Sequence, residues 1–433
     1  MPLAPKNRAR RFDFRLAESE KYMIKKIATA QLRKGMFIHD LNCGWMESPF
    51  VRNQFKLGSK DDISKIADLG VKELYIDTSK GLDAPEAPSR RQVQESLDSE
   101  IHEVLSDSTP EEKTVSVQAE RKAAEQVEKE AKRVVTDIME DARLGKQIEL
   151  EKVNPVVEGM VESIFRNKDA LLSLGRIRQM DQYTFQHSVG VCVLMTSFAK
   201  VIGLERDVIT KIATGALLHD IGKTQTPDHI LNKPGKLTDE EFAIMRDHVV
   251  QSRELLAETK NIDPVSLAVA AEHHERYDGS GYPNKLAGDD ISIYGQMAAI
   301  VDVYDAITAD RCYHEGMEPT AALSKILEWS KFHFNPLLAQ QFIQCVGIYP
   351  VGTLVRLKSD RLAVVVEPGR DTLLKPTVRL AWDIGRSRAL APTDVDLGDS
   401  GSGADEGIIA HESPKKWNIH PEELMDIAPK SVG

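Results

Sequence analysis

The stretch His273-His274-Glu275-Arg276-Tyr277-Asp278-Gly279-Ser280-Gly281-Tyr282-Pro283 sets two adjacent imidazoles at the end of a helical pattern, with a glycine- and proline-containing loop directly after them. Imidazole is a common protein metal ligand, and glycine lets a backbone approach a ligand closely. The loop by itself is an ordinary turn signal. Its meaning depends on whether the rest of the chain supplies partners for the two histidines.

Partners recur at similar intervals. His187 lies in Asp181-Gln182-Tyr183-Thr184-Phe185-Gln186-His187-Ser188, and His219-Asp220 follows 32 residues after it, opening His219-Asp220-Ile221-Gly222-Lys223. His248 comes 29 residues beyond His219, His273 another 25 on, and Asp302 28 after His274. Each interval suits one helix and its connection, so the pattern predicts a helical bundle whose facing helices project ligands inward. Residues 184–203 are apolar at helical spacing up to Gly203. Thr238-Asp239-Glu240-Glu241 reads as a capping box ahead of a helix carrying His248. Asp263-Pro264 reads as the N-cap and first-turn proline of a helix ending near His274. Ile293–Thr308 reads as a further helix with Asp302 on it, and no strand alternation interrupts residues 150–345.

The candidate ligands are His187, His219, Asp220, His248, His273, His274 and Asp302. Seven donors are too many for one tetrahedral zinc. They suit two divalent, near-octahedral ions with one carboxylate bridging. Imidazole and carboxylate without thiolate favour iron, manganese or nickel-like ions. Two ions about 3.5–4 Å apart orient a bridging hydroxide for in-line attack at phosphorus. Lys223, one turn past the His-Asp pair, is a compact cation within reach of a phosphate oxygen. Plainer readings exist: a lone histidine on an apolar face is more often a hydrogen-bonded core residue, and Lys223 suits a helix C-terminus. Five histidines gathered in one domain beside carboxylates outweigh the first of these.

Residues 165–345 resemble the HD-GYP family, a branch of the HD phosphohydrolase superfamily that hydrolyses cyclic di-GMP. The resemblance rests on His219–Lys223, on Ile230-Leu231-Asn232-Lys233-Pro234-Gly235-Lys236-Leu237-Thr238, on the opening motif with Gly281-Tyr282-Pro283, and on residues 302–311. It implies that His187, His219, Asp220 and Asp302 hold one metal, and that Asp220, His248, His273 and His274 hold a second, with Asp220 bridging. It also implies phosphate contacts from Lys223 and Arg311, and a substrate groove bordered by Gly281-Tyr282-Pro283. In the family that loop is linked as well to contacts with GGDEF-domain proteins. The implied reaction is hydrolysis of cyclic di-GMP to linear pGpG, with pGpG or GMP as the end product left open. Tyr183 stands where some members place a glutamate that holds a third metal, so the expectation is a binuclear centre of Fe or Mn. His314 stands where some members have a lysine or arginine near the second phosphate, and Ser252 replaces a glycine usual after the His248 motif.

A chain of net charge -11 needs local compensation to admit an anionic dinucleotide, and the metals, Lys223, Lys233, Lys236 and Arg311 would supply it. Bulk acidity argues against binding long nucleic acid. At 433 residues the length suggests about three units. No apolar run reaches membrane-spanning length, and residues 1–15 are basic without the apolar core of a signal peptide, so the expected location is the cytoplasm. Cys43, Cys192, Cys312 and Cys345 are scattered, with no CxxC spacing, which fits a reducing compartment.

The expected architecture is mainly α. A small α+β domain covers 22–82, with strands at 24–27, 35–40 and 73–77 and a helix at 60–69. Its phrases Gln31–Met36, Trp45–Phe50 and Tyr75–Thr78 resemble an uncharacterised domain that often precedes HD-GYP modules. Trp45 and Phe50 read as core or as a binding surface. A charged helical linker covers 83–150, and its helix at 111–143 is either a dimerising helix, giving a homodimer, or a solvated connector. The HD-type catalytic bundle covers 151–347. A small β extension covers 348–395, with a hairpin around Pro368-Gly369, and a flexible tail covers 396–433 in which 418–428 is either a docking segment or disordered. Two functions of different class follow: an active metal-dependent phosphodiesterase, or a cyclic di-GMP-binding or GGDEF-contacting scaffold. A third is an HD phosphohydrolase for another cyclic dinucleotide.

Overall fold

A computed structural model describes residues 23–42, 54–68, 70–106, 114–174, 183–309, 316–399 and 406–427, with backbone alone for 183–186. Arg311, His314, Trp45, Phe50, Cys43 and Cys312 lie outside them. The described residues form two compact units, one from the N-terminal part up to Glu100 together with Asn232–Ala243, the other from Ile101–Leu231 and Ile244 onward.

In the first unit, β1 (Ile24–Ala28), β2 (Phe37–Asp40), β3 (Phe55–Lys56) and β4 (Glu73–Asp77) form an antiparallel sheet in the order β1-β4-β2-β3. The helix α1 (Lys60–Asp68) turns Ile66 inward onto Ile27, Ile38, Leu74 and Ile76. The central strand β4 is buried from Leu74 to Asp77, and with Ile27 and Ile38 beside it four brief segments suffice for a core.

The chain passes into the second unit along α2 (Arg90–Ser106). The charged segment 117–143 is not a free connector. It is α3 (Val117–Arg143), which packs along α4 (Leu150–Leu174) and buries Ala124, Ala131, Val134, Val135, Ile138 and Met139. These residues make one helical stripe, and the charges of the segment, apart from the buried Glu120 and Arg121, occupy its other face. In chain order there follow α5 (Tyr183–Val201) and α6 (Arg206–Leu218), then α7 (Asp239–Arg246), α8 (His248–Ala257), α9 (Pro264–Glu272), α10 (Ile293–Thr308), α11 (Pro319–Trp329) and α12 (Pro336–Val346). The helices α5, α6, α9 and α10 pack on one another around the centre of the bundle.

Local chemistry sets the helix ends. Thr238 and Glu241 form the reciprocal capping box, with Glu241 N–H 3.2 Å from Thr238 Oγ1 and Thr238 N–H 2.7 Å from the Glu241 carboxylate. The capped helix α7 stops at Arg246, and His248 instead opens α8. Asp263 Oδ1 accepts the Val265 N–H ahead of Pro264, and Ser292 Oγ accepts the Gly295 N–H ahead of α10.

The C-terminal part is a sheet in the order β10-β5-β6-β7-β8, with β9 also on β7. Its strands are β5 (Leu354–Leu357), β6 (Arg361–Glu367), β7 (Thr377–Asp383), β8 (Arg388–Ala389), β9 (Asp394–Asp396) and β10 (Ile408–His411). The segment expected to be a flexible tail supplies the edge strand β10, and then a short helix α13 (Pro421–Asp426). Arg379 explains the docking of that helix. Its buried guanidinium pairs with both oxygens of Asp394 at 2.6 and 2.8 Å and donates to the carbonyls of Leu424 and Ile427. Arg121 of α3 reaches Asp426 from the other side. Among the described residues no helix is long and apolar enough to cross a membrane.

Candidate functional site

All seven candidate ligands converge in the second unit. His187 and Asp302 come from within α5 and α10. His219, His248 and His273 stand at helix ends instead: His219 caps the C-terminus of α6, His273 that of α9, and His248 opens α8. The last carbonyls of a helix have no intrahelical donor. Here imidazole Nδ1 supplies one three residues back in each case, at 2.8 Å to Ala216 O, 2.6 Å to Met245 O and 2.8 Å to Ala270 O. A carbonyl only accepts, so Nδ1 carries a hydrogen in these three histidines, and Nε2 is left to face inward. That is the orientation in which histidines ligate metals, with the second nitrogen held by a carbonyl.

Asp220 is the centre of the arrangement. Its Oδ2 lies 3.6 Å from His187 Nε2 and 3.3 Å from His219 Nε2, while Oδ1 lies 3.3 Å from His248 Nε2 and 3.8 Å from His273 Nε2. Asp302 Oδ1 is 2.9 Å from His187 Nε2, and its Oδ2 is 3.7 Å from His274 Nδ1. The donor atoms of His187, His219 and Asp302 lie within 4.8 Å of one another, and so do those of His248, His273 and His274. The two oxygens of one buried carboxylate thus face two separate groups of donors.

The unmet valences of the donor set are what fit it to cations. His219 Nε2 and Asp220 Oδ1 are buried and make no hydrogen bond. A buried polar atom without a partner is costly, and two such atoms in one cluster of imidazoles and carboxylates are what a divalent ion satisfies. Charge agrees. Burial alone would push Asp220 up, yet His219 and Lys223 hold it well below the usual carboxylate range, and Asp302 behaves likewise beside His187. Burial pulls His274 down to about 3 and His273 well below its ordinary value, so both stay neutral donors. His219 is pulled down by burial but more strongly up by Asp220 and Asp302, to about 10, so a cation bound there displaces a proton.

The opening of the cluster is at His274 and Lys223, whose side chains are 20% and 22% exposed while the others are almost fully buried. Lys223 stands on the short turn Ile221–Gln225 with its ammonium on Asp220 Oδ2. Gly222 lets that turn lie flat on α8, since a Cβ there would sit 2.1 Å from His248 O. Ser252 Oγ accepts the Gly222 N–H at 2.9 Å, so the serine in place of a glycine ties the two segments together. Gly281 passes equally close to the His-His segment: a Cβ would sit 2.3 Å from Arg276 N. Tyr282 N–H donates to His274 O at 3.1 Å, its ring lies tilted by 34° against the His274 imidazole with centroids 4.8 Å apart, and Pro283 follows in the chain.

Some placements differ from expectation. Lys233 pairs with Glu241 inside the first unit, which holds residues 232–243. Arg311 falls outside the described residues, as does the His314 position. Two further residues of the site are not singled out by the sequence pattern. Asp305 holds His187 Nδ1 at 2.7 Å, and its signal is its place one turn beyond Asp302 on the same helix face. Glu275, buried directly after the histidine pair, accepts the Asn284 N–H at 2.7 Å and the Leu286 N–H at 3.0 Å. Its only signal is adjacency.

Comparison with known proteins matches an HD-domain family model to residues 161–338 and a model for a domain of unknown function, DUF3391, to residues 24–153. The latter runs well past the small sheet domain, through α3. The chain is 38% identical over 414 residues to the cyclic di-GMP phosphodiesterase PA4108 of Pseudomonas aeruginosa, covering 95% of this chain and 98% of that one. It is 36% identical over 187 residues to the 3'3'-cGAMP-specific phosphodiesterase 2 of Vibrio cholerae, covering 43% of this chain and 36% of that one. It is 40% identical over 139 residues to the cyclic di-GMP phosphodiesterase response regulator RpfG of Xanthomonas campestris pv. campestris, covering 32% and 37%.

Proposed function

This chain belongs to the HD-GYP family of HD-domain phosphohydrolases, and from that membership we propose that it is a metal-dependent phosphodiesterase opening cyclic di-GMP to linear pGpG. The observation that carries the reading is Asp220, a buried carboxylate whose two oxygens face two histidine groups and whose Oδ1 has no hydrogen bond. Similarity to PA4108 along almost the whole of both chains supports the choice of substrate.

In this reading His187, His219, Asp220 and Asp302 would hold one divalent cation, and Asp220, His248, His273 and His274 would hold a second. Iron or manganese suits these donors. When bound, such a pair supplies water activation and charge neutralisation at phosphorus. The chain's own residues do the rest. Asp305 fixes the His187 ring through Nδ1. Lys223, part-exposed beside Asp220, leaves its carboxylate partner to neutralise a non-bridging oxygen of the scissile phosphate, and Arg311 is the other phosphate contact that the family resemblance implies. The Gly281-Tyr282-Pro283 lip borders the groove in which the dinucleotide lies. The burial of Asp220 and the histidines strengthens charge contacts made beside them.

The test is anaerobic purification, a metal count, and chromatography of cyclic di-GMP, 3'3'-cGAMP and cyclic di-AMP beside an Asp220→Ala variant. Two metals per wild-type chain, turnover of cyclic di-GMP in preference to the others, and loss of both metal and turnover in the variant are expected. A metal-loaded wild type that leaves cyclic di-GMP intact overturns the substrate. Preference for 3'3'-cGAMP would move the chain to the specificity named for the Vibrio relative.

A further inference from the structure

The lip beside His274 is held from below by one carboxylate. Glu275 is 1% exposed, and its two oxygens are taken up by backbone, Oε1 by the Asn284 N–H and Oε2 by the Leu286 N–H. Those two amides lie just past Gly281-Tyr282-Pro283. On the near side, the Tyr282 N–H is fastened to His274 O. The loop is therefore pinned at both ends to the two residues His274 and Glu275, and Gly281 makes the close approach possible. The pinned loop presents one large side chain: the Tyr282 ring lies against His274, tilted by 34°, with the Arg246 guanidinium over it at 5.5 Å from its centroid. Arg246 is exposed and stands two residues before His248.

A buried carboxylate committed to two loop amides is a costly way to close a turn, since water or a neutral side chain serves at the surface. Its chemical consequence is a fixed height and tilt for an aromatic ring and a cation at the opening of the centre. A purine presents a flat face to such a ring, and stacking on an aromatic side chain contributes about 1–3 kcal/mol per base. An exposed guanidinium next to the ring suits guanine, whose O6 and N7 accept two hydrogen bonds in one plane.

We propose that Glu275 is a positioning residue of the dinucleotide site, which acts through the Asn284 and Leu286 amides to hold Tyr282 and Arg246 where a purine base of the substrate stacks. The inference rests on the reading of the site as a cyclic dinucleotide phosphodiesterase and assigns the base-recognition surface within it. The Glu275 side chain bonds to the two loop amides and to none of the metal-donor side chains. Its loss is felt by a substrate that reaches the lip and hardly by one that does not.

The experiment compares two substrates on the full-length, metal-loaded protein: the purine cyclic dinucleotide turned over fastest by wild type, and bis(p-nitrophenyl) phosphate, a small diester with no base. In Glu275→Gln the amide NH2 faces one loop N–H in place of an acceptor. The expected result is a ratio of dinucleotide to small-diester kcat/KM lowered about tenfold, carried by KM more than kcat. Tyr282→Ala lowers the same ratio at least as much, and it provides the reading if Glu275→Gln does not fold. A ratio unchanged in the folded variants, or both substrates falling together, overturns the proposal and leaves Glu275 a structural residue. A wild type that cleaves the small diester but no cyclic dinucleotide overturns the functional reading, and the base surface with it.

Discussion

Near the start of α3 the carboxylate of Glu120 is buried, and so is that of Asp220 at the centre of the bundle. Burial would push both upward in pKa, and both are held below the ordinary range. The means differ. Glu120 has a complete set of partners: Ser163 Oγ donates to Oε1 at 2.8 Å, and Arg166 closes a fork on both oxygens at 2.7 and 2.8 Å. Asp220 is surrounded by imidazole nitrogens and a single ammonium, and its Oδ1 accepts nothing. A charge that serves the fold is finished by the fold. A charge that serves chemistry is left facing donors that are themselves unfinished, and the pair of carboxylates separates the two cases within one compact unit.

The sharpest way to break that distinction is at Arg379, which belongs to the finished class. Arg379→Leu strands Asp394 and the carbonyls of Leu424 and Ile427. Removing one partner of a buried pair costs about 3–5 kcal/mol, read as a lower denaturation midpoint. Metal content of the folded fraction should not change. A variant as stable as wild type would show that α13 does not depend on this contact. Next in size is Asp305→Ala, which touches the unfinished class through His187 Nδ1. Loss of a carboxylate that orients a ligating histidine lowers metal affinity or turnover about 10–100-fold, seen by metal titration. A loss below twofold would place His187 outside the centre.

The two classes are unequally legible in the sequence. Ligand types and helix periodicity are visible because imidazoles and carboxylates repeated at one-helix intervals seldom arise from packing alone, and Asp263-Pro264 carries its own start signal. The helix-end placement of His219, His248 and His273 is not visible, because it follows from which carbonyls lack donors once the bundle closes. Glu275 and Asp305 are hidden for a related reason. Their partners, two loop amides and a ring nitrogen, are defined only by tertiary proximity. The role of α3 is masked by a different cause: its exposed face is so charged, and so much of the stripe from Ala124 to Met139 is alanine, that the sequence does not announce its packing. Arg379 reads as one strand residue among many, since nothing local announces that the chain returns to it more than 40 residues later.

The smallest expected effect is at Glu120 and is read through pH. Its folded pKa is held below the unfolded value, so its contribution is present above the unfolded pKa and is lost as pH falls through the folded one. Glu120→Gln keeps the shape and removes the titration. Because the Arg166 side chain is 40% exposed, solvent screening weakens the pair, and the difference from wild type should be about 1–2 kcal/mol at pH 7. It should shrink steadily below the ordinary carboxylate value of 4.5. Adding divalent metal should leave that difference untouched while raising the stability of both proteins, since ligand binding to the folded state is additive with a distant, independent site. A wild-type advantage that stays flat down to pH 3 would mean that the ion pair contributes nothing in solution, and that Glu120 is buried for packing alone. A metal-dependent difference would mean that the finished and unfinished carboxylates are coupled through α4.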